Sequence, residues 1–152
     1  MSTTTRTPDF PNCYVCGSDN PEGLHIVFEP DGSDGCRARY TARPEHCGWP
    51  GLIHGGLLFT LMDEAVAWAL VYAGLHGVTA RGDVRFAAPV KVGMPLVVTA
   101  RVLLRRGKLA KARAEIREAG DGETLVAELT TAMYLTDAEE TGGETRGPSQ
   151  TE

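Results

Sequence analysis

The residues that could most clearly take part in a reaction lie together in one apolar stretch of the chain. His54, Gly55 and Gly56 stand at its start, and the acids Asp63 and Glu64 stand side by side in its middle. If a helix begins at the glycines, its first backbone N–H groups have no acceptor inside the helix and lie at the positive end of the helix dipole. Such groups can stabilise an oxyanion, and a carboxylate can act as a general base or a nucleophile. The pattern is typical of attack on a carbonyl carbon.

The spacing between the glycines and the acid predicts that two chains share a site. Asp63 follows Gly55 by eight residues, which at about 1.5 Å per residue places it about 12 Å further along a helix. A carboxylate and an oxyanion donor must each lie within about 3 Å of the group they act on, so one helix cannot supply both. Two antiparallel helices in a homodimer satisfy this condition twice, by symmetry. We expect a homodimer, and the sequence leaves further pairing into a tetramer open.

Both features also have purely structural interpretations. Paired glycines can simply let a helix start pack tightly against a strand. Asp63 shares one helical stripe with Gly56, Thr60 and Ala67, and a carboxylate on an apolar helix needs a partner, which a basic side chain from a sheet could supply. Glu64 is rotated by about 100° from Asp63, so it is expected to face an arginine or solvent in a supporting role. The arginines that could pair with Asp63 are Arg81, Arg85, Arg101 and Arg105.

A long helix and an alternating sheet would position these residues. From Leu57 to Leu70 apolar residues recur at helical spacing and further apolar residues widen that surface, so other elements must cover the helix. Alternation of apolar and polar residues predicts six strands, and in the third Val78, Val84 and Phe86 share one face. The fold class is α+β, a long central helix wrapped by an antiparallel sheet of five to six strands in the order β-β-α-β-β-β-β. The predicted strands are 24–29, 36–42, 78–86, 96–105, 109–118 and 123–135.

Size and composition indicate one globular domain. The 152 residues, 42% hydrophobic and 23% charged, fit a single core. We assign this domain to residues 11–136, between a flexible N-terminus at residues 1–10 and a disordered acidic tail at residues 137–152.

The net charge of −5 and the lack of a basic face argue against nucleic-acid binding. Two acids within the apolar stretch argue against a membrane span, and an N-terminus without a signal pattern predicts a cytoplasmic protein.

The four cysteines, Cys13, Cys16, Cys36 and Cys47, are expected to be thiols or metal ligands, because disulfides are rare in a reducing compartment. Cys13 and Cys16 form one C-x-x-C pair, which is half of a zinc knuckle, and a second pair at matching spacing is missing. Cys47 with His46 could complete a site if separate segments converge. The sequence therefore predicts no metal in the reaction site and leaves open whether Cys13 and Cys16 bind zinc.

The order of elements and the run His54-Gly55-Gly56 followed by Asp63-Glu64 resemble the hotdog-fold acyl-CoA thioesterases of the PaaI-like (hydroxybenzoyl-CoA thioesterase-like) superfamily. The resemblance covers roughly residues 11–136. Four further segments of the chain also look like that group. They are Asn12-Cys13-Tyr14-Val15-Cys16-Gly17, Asn20-Pro21-Glu22-Gly23-Leu24, His46-Cys47-Gly48-Trp49-Pro50-Gly51 and Val84-Arg85-Phe86-Ala87-Ala88-Pro89-Val90.

The resemblance implies roles for Asp63, His54, Gly55 and Thr79. It implies hydrolysis of an acyl-CoA by Asp63 of one chain, with His54 and Gly55 of the other chain beside the thioester carbonyl. It also implies that Thr79 helps to hold the attacking water, and that no cofactor is needed beyond the CoA of the substrate. The expected substrate-binding residues are Gly56, Thr60, Glu64 and Thr79.

One position departs from the family pattern. Gly48 stands six residues before His54, where relatives often carry Asn or Gln, so His46 or a backbone group would have to replace that polar partner.

Two other activities stay open. One is a hotdog enoyl-CoA hydratase, although the Asp and His pair typical of those enzymes is not seen. The other is a non-catalytic acyl-CoA-binding protein, although Asp63 is retained. The motifs do not define the acyl group, because pocket volume depends on packing.

Overall fold

A computed structural model describes residues 9–120 and 124–137 of the chain. Within them, one α-helix and six strands follow the predicted order β-β-α-β-β-β-β. The predicted flexible N-terminus and acidic tail fall outside the described residues, apart from residues 9, 10 and 137. The elements are β1 (Glu29–Pro30), β2 (Gly35–Thr41), a 3₁₀ helix (Pro44–His46), α1 (Gly55–Tyr72), β3 (His76–Phe86), β4 (Pro95–Arg106), β5 (Leu109–Glu118) and β6 (Leu125–Thr136).

The central helix α1 ends at a glycine signal and packs as a core helix. Gly74 has a positive φ of 75°, and its N–H donates to the carbonyl of Val71 while Leu75 N–H donates to that of Leu70. These two bonds form the Schellman motif, which stops a helix at a left-handed residue. By length and composition α1 would also qualify as a membrane span. Nine of its 18 residues are buried within the domain, however, which is the arrangement of a core helix.

The six strands form one antiparallel sheet in the spatial order β1-β2-β4-β5-β6-β3. The helix contacts β2 and each strand from β3 to β6, and the core lies between helix and sheet. Alternate side chains of the central strands point into this core, as the apolar and polar alternation predicted. The buried residues of β4 and β5 include Leu96, Val98, Ala112, Ala114 and Ile116.

The first predicted strand is wrong over most of its length. Only Glu29–Pro30 pairs with β2, although alternate side chains of residues 24–28 are buried as the pattern predicted. His25 has a positive φ of 55°, which is not strand geometry. The amides on either side of it donate to the carbonyls of Tyr14 and Val15 at 3.0 and 2.9 Å. The backbone of this segment therefore pairs with the N-terminal segment of the domain and not with the sheet.

Strand β3 is an outer strand of the sheet, and β6 is its one neighbour among the described elements. The alternation that predicted β3 does not correspond to a buried face in the single chain, because Val78, Val84 and Phe86 are 51%, 36% and 50% exposed. The register shifts between Thr79 and Arg81 at a β-bulge, so Val78 pairs with the exposed Tyr134, whereas Val84 and Phe86 pair with the buried Leu129 and Ala127. The prediction that Val78 shares a face with Val84 and Phe86 is therefore wrong. A long edge strand with exposed apolar side chains is a template for pairing with another chain.

Candidate active site

The N-terminus of α1 has one backbone N–H group free for a ligand. Gly56 N–H donates to Nδ1 of His54 at 2.8 Å, and the N–H groups of Leu57 and Leu58 donate to the His54 carbonyl at 3.0 and 3.3 Å. Gly55 N–H has no acceptor in the described part of the chain. It also lies at the positive end of the helix dipole. Of the two glycines predicted to contact substrate, Gly55 is therefore the one with a donor to offer.

The hydrogen bond from Gly56 also defines the state of the His54 ring. Because Nδ1 accepts this bond, the neutral ring carries its proton on Nε2, which is a donor. The His54 side chain is exposed, so this donor is accessible near the helix start. A Cβ atom at position 56 would lie 2.9 Å from Nδ1. The second glycine is thus explained by the close approach of the His54 ring.

Residues before the helix hold His54 in place. The carbonyl of His46 accepts the His54 N–H at 2.9 Å, whereas the His46 ring is engaged by Tyr40, whose hydroxyl lies 2.6 Å from Nδ1. Gly48 lies against the His54 ring, since a Cβ atom at position 48 would be 3.1 Å from Cδ2. Of the two replacements predicted for the missing Asn or Gln, the backbone group is the one that contacts His54.

We expect His54→Ala to destabilise the domain by about 1 kcal/mol, because alanine cannot cap the helix. His54→Asn should recover most of this loss, since asparagine is a good N-cap, but both variants lack the imidazole donor and should turn over more slowly. Urea unfolding midpoints measure the first effect and steady-state rates the second. Equal stability of the Ala variant and the wild type would show that the cap contributes nothing.

The Asp63 carboxylate is held by Thr79 across the contact between helix and sheet. Thr79 Oγ1 donates to Oδ1 of Asp63 at 2.6 Å. Thr79 pairs with Met133 just before the bulge in β3, and the Met133 Sδ atom lies 3.5 Å from the same hydroxyl. Oδ2 of Asp63 has no partner among the residues described. One carboxylate oxygen is thereby oriented, and the other remains free for a water molecule or a substrate.

The helical stripe predicted around Asp63 is a part of α1 that its own sheet does not fully cover. Thr60, Asp63 and Ala67 are partly exposed and Gly56 is exposed, whereas the positions beside them are mostly buried. Thr60 Oγ1 donates to the Gly56 carbonyl at 2.8 Å, so this hydroxyl bonds back to its own helix. A ligand or a second chain can therefore reach the carboxylate from this side.

An ion pair between Asp63 and a sheet arginine, the structural alternative from the sequence, is not formed in the described part of the chain. Three of the four candidate arginines have other acidic partners on the surface. The pairs are Arg81 with Asp83, Arg85 with Glu128, and Arg101 with Asp31 and Asp34.

Glu64 faces a different part of the molecule from Asp63. The Cys13 thiol donates to Oε1 of Glu64 at 3.2 Å, so the partner of this acid in the described part of the chain is a cysteine and not the predicted arginine. Burial raises the pKa of Glu64, and a hydrogen bond from Cys16 lowers the pKa of Cys13. No sequence pattern joins these residues, because 51 positions separate Cys13 from Glu64. The structure therefore does not place Glu64 beside the Asp63 carboxylate.

Phe86 lies at the candidate site but was missed by the sequence reasoning. A Cβ atom at Gly55 would lie 3.3 Å from the Phe86 ring, and the ring is half exposed. It closes one side of the helix start. Its position at the end of a strand carries no chemical signal that could have identified it.

Comparisons with known proteins identify the family of this chain. The family model for the thioesterase superfamily matches residues 50–125. Acyl-coenzyme A thioesterase 13 of Mus musculus is 30% identical over 120 residues, which cover 68% of this chain and 86% of that protein. The Pongo abelii protein of the same name is 31% identical over 83 residues, covering 53% of this chain and 59% of the relative.

Solved structures show the same fold. A crystallised thioesterase superfamily protein superposes with a TM-score of 0.76 at 25% identity, covering 82% of this chain and 60% of that one. The Escherichia coli PaaI protein gives 0.69 at 24% identity, covering 75% and 81%. A long helix wrapped by one six-stranded antiparallel sheet, with an acid at its middle, defines a hotdog-fold protein. The chain belongs to the thioesterase superfamily, and the predicted hotdog fold is confirmed.

Proposed function

We propose that this chain hydrolyses acyl-CoA thioesters to a free acid and CoA, with Asp63 as the reacting carboxylate. One observation carries the proposal: Asp63 has one oxygen held by Thr79 and the other free, on a helix stripe open to a ligand. Membership of the thioesterase superfamily supports the reaction class. Two proteins of this fold have been solved with ligands, one from Streptococcus pneumoniae with CoA and one from Streptococcus mutans with acetyl-CoA. No cofactor is proposed beyond the CoA of the substrate.

The proposed reaction begins with the free Oδ2 of Asp63, which takes a proton from water as the water oxygen attacks the thioester carbonyl carbon. The carbonyl oxygen becomes an oxyanion, which accepts a hydrogen bond from the N–H of Gly55 of the partner subunit. The Nε2–H donor of His54 of the partner subunit lies beside that N–H. The C–S bond then breaks, and the CoA thiolate receives the proton held by Asp63. Direct attack by Asp63, which would form an anhydride that water then cleaves, is the competing route.

The shared site requires a homodimer, and β3 supplies a surface for it. Its outer edge is unpaired among the described strands, and Val78, Val84 and Phe86 are exposed along it. Antiparallel pairing of two β3 strands about a two-fold axis would join the sheets and cover these side chains. Because the Phe86 ring lies beside Gly55, 3.3 Å from where a Cβ atom would stand, the same interface would hold the helix start of each subunit. Light scattering is expected to give at least twice the chain mass of 16.3 kDa; a fully active monomer would contradict this.

Thr79→Val is expected to lower kcat by about 10- to 100-fold, because a hydrogen bond to a charged group contributes about 1.5–3 kcal/mol. Valine keeps the β-branched shape that suits a strand but cannot orient the Asp63 carboxylate. Thr79→Ser retains the hydroxyl and is the matched control, so it should recover most of the rate. Equal losses in both variants would mean that the hydroxyl does not position Asp63.

The direct test is release of free thiol from a panel of aromatic, short-chain and long-chain acyl-CoA substrates. We expect one thiol and one carboxylic acid for each substrate consumed, and turnover should depend on the acyl group. A hydratase would consume enoyl-CoA substrates without releasing thiol. A binding protein would bind acyl-CoA in a calorimeter and release nothing. Either of these results would overturn the proposed function.

A further inference from the structure

Two cysteines and one acid converge at a place that the proposed reaction does not use. The Sγ atoms of Cys13 and Cys16 and a carboxylate oxygen of Glu64 all lie within 4.8 Å of one another. The cysteines come from the N-terminal segment of the domain, and the acid comes from the middle of α1. Glu64 directly follows Asp63, but its side chain is turned by about 100° around the helix. The cluster therefore lies on another side of α1 from the reacting carboxylate.

The cysteine loop is built so that its sulfur atoms already face one another. The N–H groups of Val15 and Cys16 point at Cys13 Sγ at 3.4 and 3.5 Å, and Gly17 N–H donates to the Cys13 carbonyl at 3.0 Å. A Cβ atom at Gly17 would lie 2.5 Å from the Cys13 nitrogen, so this turn requires glycine. N–H groups aimed at a sulfur stabilise its negative charge. The loop is thus prepared to hold a thiolate before any ligand binds.

The charge of the cluster is not balanced by a basic side chain. All three groups are acidic and partly buried, and Glu64 forms no ion pair with lysine, arginine or histidine within residues 9–120 and 124–137. Buried charges in proteins are paired or coordinate a metal. Without a cation, protons must neutralise the site. A bound metal cation would allow both sulfur atoms and the carboxylate to ionise together.

We propose that Cys13, Cys16 and Glu64 bind one Zn²⁺ ion. Zinc takes thiolate sulfur at about 2.3 Å and carboxylate oxygen at about 2.0–2.2 Å in tetrahedral sites, so bound ligand atoms lie about 3.5–3.8 Å apart. The three atoms already lie within 4.8 Å of one another, and Cys13 Sγ lies 3.2 Å from Glu64 Oε1, which is close to that spacing. Thiolate ligands favour Zn²⁺ over Mg²⁺ or Ca²⁺. Three protein ligands leave the fourth position for a water molecule.

The ligand set differs from the one that the sequence leaves open. Cys47 and His46 could have completed a site with the C-x-x-C pair, but Cys47 lies outside the cluster and the His46 ring is bound by the Tyr40 hydroxyl. Glu64 takes their place. The metal would join the N-terminal segment to the centre of α1, so its role is to stabilise the packing of that segment against the helix.

The test uses the full chain, reduced and stripped of metal by a chelator, and then titrated with Zn²⁺ or with Co²⁺ as a spectroscopic probe. We expect one ion to bind per chain. The Co²⁺ form should show sulfur-to-cobalt charge-transfer bands and the intense visible bands of a tetrahedral site. The Zn²⁺ form should have a higher Tm than the metal-free protein. Cys13→Ser and Cys16→Ser should each weaken the charge-transfer bands, because one thiolate remains, and bind the metal at least tenfold more weakly. Cys47→Ser is the matched control and should bind as the wild type does.

Glu64→Gln keeps both thiols and serves as the second variant if a serine variant fails to fold, as judged by circular dichroism. It should retain charge-transfer bands but bind Zn²⁺ more weakly, because a neutral amide replaces the carboxylate. Absence of stoichiometric binding by the reduced wild type would overturn the proposal. So would unchanged binding in folded Cys13→Ser and Cys16→Ser variants, or an equal loss in Cys47→Ser.

Discussion

Asp63→Asn is expected to lower kcat for acyl-CoA hydrolysis by roughly 10²–10⁴-fold, the usual contribution of a general base. The substitution keeps the size of the side chain and an oxygen that can still accept the Thr79 hydroxyl bond. It removes the negative charge that takes the proton from water. Binding of a non-hydrolysable acyl-CoA analogue should change little, because the variant loses transition-state stabilisation and not uniform binding. Thiol release and calorimetry measure the two effects separately.

The interpretation requires that the Asn variant is folded and has the same oligomeric state as the wild type. A folded Asp63→Asn protein with full turnover would show that another residue carries the chemistry. A single turnover in ¹⁸O-labelled water then tests whether the wild type forms an anhydride that water opens at Asp63. A general base leaves no label in the protein, whereas an anhydride that water opens at the aspartyl carbon leaves ¹⁸O in the Asp63 carboxylate.

Gly55→Pro is expected to lower kcat by roughly 10²–10³-fold, which is the cost of removing one oxyanion donor. Proline removes the Gly55 N–H and keeps a backbone conformation that suits the first position of a helix. His54 has φ of −62° and ψ of 131°, a conformation compatible with a following proline. The helix should therefore form as before, and the loss should appear in kcat.

Gly55→Ala is the matched control for this substitution. Alanine places a Cβ atom at the same position, 3.3 Å from the Phe86 ring, but retains the N–H. We expect the Ala variant to keep most of the wild-type rate, with urea unfolding and circular dichroism confirming both folds. If the Pro and Ala variants lose activity equally, packing against Phe86 matters and the Gly55 N–H is not the oxyanion donor.

The helix and most of the sheet could be predicted because each depends on local patterns. Apolar residues at helical spacing behind His54-Gly55-Gly56 predicted α1, and alternation predicted the strands from Cys36 onward. The segment before β1 shows the same alternation, yet the positive φ of His25 directs its backbone to the N-terminal segment. Side-chain alternation reports burial, but it does not identify the hydrogen-bonding partner of the backbone.

The details of the site depend on contacts that no local pattern encodes. The spacing from Gly55 to Asp63 pointed to the reacting pair, but the assignment of Gly56 N–H to the His54 ring follows from one side-chain conformation. The bond between Thr79 and Asp63 and the approach of Glu64 to Cys13 join segments 16 and 51 residues apart. Sheet order is equally non-local, so the exposure of β3 at the edge could not be read from its alternation.

A mixed dimer of one Asp63→Asn chain and one Gly55→Pro chain, isolated with two different affinity tags, tests the shared site most directly. If each site takes its acid from one subunit and its oxyanion donor from the other, one site of this dimer carries both defects and the other carries none. The mixed dimer should then recover about half of the wild-type activity, although both parent homodimers are nearly inactive. A mixed dimer as inactive as its parents would show that both groups act within one chain, which contradicts the shared site.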